Sequence, residues 1–120
     1  MALGATMKAA LRRIADALAA FATDQGWQPD EYQILFHVSQ KWGRIRVFFI
    51  TKDFGKVSRQ EMWARVWDYL EKSLKNGPDI GFSVGLSVRD WSQVNQGGAY
   101  SIPPGYVDQK ELLLIPSVTD

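Results

Sequence analysis

The sequence predicts an α+β fold: a two-layer sandwich with elements in the order α-β-β-α-β, followed by a C-terminal extended tail or strand. Two stretches with apolar residues at helical spacing and three stretches of apolar alternation point to it. So does a length of 120 residues, 46% hydrophobic and 22% charged, which suits one domain over 1–120 with a single core. Each helix would offer one apolar stripe and the sheet one apolar face, and stacking them buries both.

In the first segment Met7, Leu11, Ile14, Leu18 and Phe21 recur at 4-3-4-3 spacing and fall in one narrow stripe. This predicts a helix over about residues 5–23, with Gly26 as its C-terminal cap and Pro29 forbidding continuation. Lys8, Arg12 and Asp16 lie away from the stripe, which favours core packing over a membrane-surface helix. Arg12, Arg13 and Asp16 also interrupt any signal-type apolar core, and no stretch approaches the length of a membrane span.

"EYQILFHVSQKWGRIRVFFITK" reads as a hairpin. Tyr32, Ile34, Phe36 and Val38 alternate with Gln33, Leu35, His37 and Ser39; after Gln40-Lys41-Trp42-Gly43, Ile45, Val47, Phe49 and Thr51 alternate with Arg44, Arg46, Phe48, Ile50 and Lys52. Pairing Val38 with Ile45 sets Phe36 against Val47 and Ile34 against Phe49, with His37–Arg46 and Leu35–Phe48 on the opposite face. A slip by one residue would carry Arg44 and Arg46 into the core, so the register is well specified.

Asp53-Phe54-Gly55 matches the magnesium-binding triplet of protein kinases, but the glycine-rich loop and catalytic-loop Asp-Asn set of that much larger fold are absent. The triplet is read as a strand-to-helix loop: Gly55 permits a tight turn and Phe54 plugs the core edge. Ser58 and Glu61 then form S-x-x-E, a capping box. Met62, Trp63, Val66, Trp67, Leu70 and Leu74 make an apolar face, and Glu61–Arg65, Asp68–Lys72 and Glu71–Lys75 are i,i+4 pairs with the acid first. Asn76-Gly77-Pro78 stops the helix.

"IGFSVGLSV", residues 80–88, alternates Ile80, Phe82, Val84, Leu86 and Val88 with Gly81, Ser83, Gly85 and Ser87, a strand with one apolar and one bare face. Residues 91–120 are read as a loop-rich tail packing on the domain. "NQGGAYSIPPGY" is loop by its Gly and Pro content, and "KELLLIPS" a short strand or packed extended tail.

Phe54, Gly55 and Ser58, with Val66 and Leu70 on the helix behind them, sit in an element order that over roughly residues 30–90 resembles the BolA family and the type II KH layout. The resemblance implies a two-layer α+β fold. For BolA-like proteins it also implies iron–sulfur trafficking with glutaredoxins through a histidine near the start of the third strand. Ile80-Gly81-Phe82 stands there instead. A KH domain would show a G-x-x-G loop, which Gly97-Gly98 does not fit. No functional residue is carried over from either family.

Chemistry-bearing residues are few. The absence of cysteine excludes disulfides and thiolate chemistry and fits a cytoplasmic location. The single histidine, His37, falls mid-strand beside Arg46, where no acceptor orients it as a general base. No metal-ligand spacing appears, and the carboxylate pairs are solvated helix residues. The expectation is a non-enzymatic protein without cofactor or metal.

Attention falls on the second face of the sheet. Leu35, Phe48 and Ile50 would lie there, flanked by His37, Arg44, Arg46 and Lys52 and next to Gly81, Ser83, Gly85 and Ser87. Such a face suits a protein partner, because arginines and aromatics anchor interfaces and a bare strand admits another backbone. It also suits single-stranded nucleic acid, whose bases stack on rings. A third reading covers it with the tail, through Tyr100, Ile102, Tyr106 and Leu112–Ile115. The long loop holding Trp91, Tyr100 and Tyr106 is the second candidate surface. A formal net charge of +1 decides nothing globally. The sequence thus points to a small protein-interaction or regulatory module, with RNA binding as the alternative.

Overall fold

The computed structural model describes residues 3–77, 80–95 and 102–119. The first helical stripe forms α1 (Ala5–Asp24), which follows a two-residue strand β1 (Leu3–Gly4). Met7, Leu11, Ile14, Leu18 and Phe21 are buried, and Ala10, Ala15, Ala17 and Ala22 widen the buried face. Gly26 ends the helix at φ +79: its N–H donates to Thr23 O at 2.9 Å, and Trp27 N–H donates to Ala22 O at 2.9 Å. This left-handed cap satisfies carbonyls the helix cannot, at a backbone angle that costs glycine little.

β2 (Tyr32–Ser39) and β3 (Arg44–Thr51) pair antiparallel in the predicted register, with Val38 opposite Ile45, Phe36 opposite Val47, Ile34 opposite Phe49, His37 opposite Arg46 and Leu35 opposite Phe48. After β3, Asp53 accepts the Gly55 N–H at 3.1 Å, Gly55 turns the chain at φ +65, and Phe54 is buried at the core edge. The Asp53 carboxylate therefore serves the turn between strand and helix.

α2 (Arg59–Lys75) begins at the Ser58 cap, whose Oγ accepts Glu61 N–H at 3.1 Å. The reciprocal half of the expected capping box gives way to an ion pair, because Glu61 accepts from Arg65 at 2.9 Å instead. Lys72–Asp68 and Lys75–Glu71 also form, all well exposed and hence of small energetic weight. Met62, Val66 and Leu70 are the buried residues of α2, and Trp67, Tyr69 and Leu74 pack against the core partly buried. Arg13 on α1 donates to Ser73 O and Leu74 O at the C-terminal end of α2, where carbonyls lack helical partners.

α2 is a crossover: β4 (Ser83–Asp90) lies parallel to β3, with Ile45 beside Val84, Val47 beside Leu86 and Phe49 beside Val88. The strand starts three residues later than the alternation predicted, after Gly81 at φ +75, although Ile80 and Phe82 still pack on the core.

The C-terminal part differs more. A short helix α3 (Trp91–Asn95) follows β4 directly. β5 (Val107–Asp108) pairs antiparallel with β2, and α4 (Gln109–Leu112) follows, capped by Asp108, which accepts Lys110 N–H at 2.8 Å. Where an extended "KELLLIPS" was expected, this cap turns the backbone into helix and buries Leu112 in the main core. β6 (Ser117–Val118) then pairs parallel with β1.

The sheet runs β4-β3-β2-β5. On its inner face Ile34, Phe36, Ile45, Val47, Phe49 and Val88 meet the buried residues of α1 and α2 in one core. At the β4 edge three outward groups meet the chain's own side chains. Leu86 O accepts the Trp63 indole N–H at 2.9 Å, Val88 O accepts Arg89 Nη1 at 2.8 Å, and Asp90 N–H donates to Gln93 Oε1 at 3.2 Å. No helix among the described residues is long and apolar enough to cross a membrane.

Candidate functional site

The paired registers lay the outer face out as a grid. At one end Ser39, Arg44 and Ser83 lie side by side; the next row is His37, Arg46 and Gly85; then Leu35, Phe48 and Ser87; then Gln33, Ile50 and Arg89. The grid divides into a covered half and an open half.

In the covered half Leu35, Phe48 and Ile50 form a second, small core roofed by Trp91, Val94 and Tyr106. Phe48 is only 4% exposed, which corrects its expected role as a ring available for contact. The Tyr106 ring stands edge-on to Phe48 at 5.5 Å and tilted over His37 at 5.7 Å. Gly105 makes that approach possible: at φ +93, a Cβ there would come within 2.7 Å of His37 Cδ2. Burial raises the Tyr106 phenol pKa above its ordinary value, and the positive charge of Arg46 partly opposes the shift.

Tail coverage is therefore partial. Tyr106 packs as expected on the outer face, but Leu112, Leu113 and Ile115 pack on the main core, Leu114 faces solvent, and Ile102 is exposed. Tyr100 lies outside the described residues. Trp91 and Val94 complete the roof, a role legible only in hindsight, since Asp90 caps their short helix by accepting Gln93 N–H at 3.0 Å.

In the open half, Arg44 and Arg46 are exposed, and neither forms an ion pair among the described residues. Ser83 and Gly85 beside them are exposed, and the space above Gly85 is empty. Lys52 does not belong to this group. It pairs with Glu31 at 3.0 Å, and six strand residues put it about 20 Å from Arg46. Glu31 is held below the usual carboxylate range by the Gln28 backbone N–H and then by Lys52.

Sequence reasoning passed over Trp42. On the β2–β3 turn it is 68% exposed, with Lys41 Nζ 5.2 Å from its ring. The available signal was an indole in a turn that the alternating pattern leaves out of both faces.

His37 packs against the Tyr106 ring and close to Gly105. Among the described residues no three His, Asp or Glu side chains group as metal ligands. The open half presents fixed positive charge beside bare backbone and an exposed indole. No family model, no curated protein and no solved structure matches this chain.

Proposed function

We propose that the chain is a non-enzymatic interaction module that binds an acidic segment of a partner protein across the open end of the outer face. One observation carries this reading. Arg44 and Arg46 stand two residues apart on the same face, without ion-pair partners among the described residues, beside the low row Ser83–Gly85. A guanidinium fork matches a carboxylate in two parallel hydrogen bonds, and a strand position bare of a side chain, as at Gly85, lets a second backbone come close. Trp42 at the rim supplies the kind of aromatic anchor that interfaces use.

Single-stranded RNA is the second reading, favoured by Trp42 beside Lys41 and the two arginines. Against it stand the covered Phe48 and the small number of cations, since the electrostatic part of such binding grows with the phosphates neutralised.

Fluorescence anisotropy separates the two. A labelled peptide of alternating glutamate and aromatic residues should bind at micromolar concentration. Arg44→Ala/Arg46→Ala should weaken it at least about tenfold, or ~1.4 kcal/mol. A single-stranded RNA that binds more tightly than the peptide, with a steep salt dependence lost in the same variant, would replace the first reading with the second. Failure of both probes at low salt would reject the open face as a docking surface.

A further inference from the structure

A partly enclosed cleft of about 220 Å³ lies on the other side of the molecule, between α1, the start of β2 and the β5–α4 corner. Its apolar wall includes Ala15, Ala19 and Ile34, two small side chains on α1 over a buried strand residue. Around it stand charges of both signs, Arg12 and Asp16 on α1 and Lys110 on the opposite side.

These charges do not neutralise one another. Arg12 and Asp16 are one helical turn apart yet form no ion pair, although the three acid-first pairs of α2 all close. Cation-first order is the weaker orientation on a helix, so the two heads are left open to another partner. Across the cleft no carboxylate among the described residues lies within ion-pair distance of the Lys110 ammonium, while the Asp108 carboxylate is held on the outer side of the sheet by Gln33 Nε2–H at 2.9 Å. Charges of both signs thus stand over an apolar floor, Asp16 as the anion and Arg12 and Lys110 as the cations.

We infer that this cleft binds a small zwitterion of amino-acid size, with its ammonium toward Asp16, its carboxylate toward Arg12 and Lys110, and an apolar side chain over Ala15, Ala19 and Ile34. A dipolar ligand satisfies both signs at once, which a simple anion or cation would not. The volume accommodates one such molecule and falls below that of typical drug-sized sites. The site shares no charged residue with the Arg44–Arg46 end of the outer face, and its test does not depend on the reading proposed there.

The experiment is calorimetric titration and thermal shift with the standard free L-amino acids, and with N-acetyl-L-leucine and L-leucinamide as blocked controls. At least one apolar amino acid, L-leucine or L-phenylalanine, should bind at millimolar concentration or better and raise the Tm. Removing either charge of the ligand should weaken binding at least tenfold. Asp16→Asn and Arg12→Gln change exposed side chains, so they should leave the unliganded Tm near wild type and weaken leucine about tenfold each. Ala19→Leu should fill the cleft and abolish binding with the far-UV spectrum unchanged. The inference is overturned by silence from the whole amino-acid panel, by blocked derivatives that bind as well as free ones, or by unaltered binding in folded Ala19→Leu.

Discussion

The two faces of one sheet are built from the same strands but differ in what covers them. The inner face is apolar in three of its four rows, with Thr51 and Asp90 buried in the row that ends it, and is closed by two long helices that each bring several large side chains. The outer face has one three-residue apolar patch, and its cover is a short helix and one tyrosine. The first arrangement follows from periodicity over many residues. The second depends on a few side chains from a region without periodicity, and it stops halfway along the sheet, leaving arginines uncovered.

Substitutions at adjacent positions of β3 test this contrast most sharply. Phe49→Asp places an unpaired charge in the main core at a cost of several kcal/mol, and cooperative unfolding in urea should disappear. A variant that melts like wild type would refute the facing of the hairpin. Phe48→Ala, one residue earlier, should cost about 3 kcal/mol and leave a folded, cooperative protein, because the patch it empties is small and thinly roofed.

Helix α2, which closes the inner face, should lose about 1 kcal/mol in Ser58→Ala, read as a lower denaturant midpoint at unchanged slope. Asp53→Asn keeps an oxygen that can accept the Gly55 N–H, so its effect should stay below about 0.5 kcal/mol, and magnesium should not raise its Tm or that of wild type.

The roof gives the smallest effect, seen in alkali. A phenol whose folded pKa lies above its unfolded value contributes stability that is complete below the ordinary value of 10.0 and is lost as pH rises through the folded value. Tyr106→Phe should therefore flatten the decline of the urea midpoint between about pH 9 and pH 11. An unchanged alkaline slope would mean that the hydroxyl is solvated in the folded protein.

The comparison of faces also explains what was readable in the sequence. The hairpin register followed from alternation, because a one-residue slip buries arginines. α1 followed from its stripe, and its end from Gly26. The parallel setting of β4 was not readable, since alternation is the same in either direction. Nor were β5 and α4, whose few residues are too short for any period and whose signal is one capping aspartate. At the outer face the exposed Arg44 and Arg46 were placed correctly by alternation, whereas the burial of Phe48 depends on Trp91 and Tyr106 arriving from distant positions. The cleft was invisible for the same reason, because its walls come from α1 and from the corner after β5.

The indole of Trp63 on the β4 edge has a value that melting curves will miss. Its ring is partly exposed, and its hydrogen bond is to a carbonyl that water could serve nearly as well. Its loss would cost the folded state only about 1 kcal/mol, mainly the stack on Trp67 at 5.6 Å. What would change is the company the strand can keep: a bare Leu86 carbonyl lets another extended chain dock, so the phenotype would grow with protein concentration. While that indole stays in place it blocks the Leu86 carbonyl, one of the groups that an added strand would have to engage.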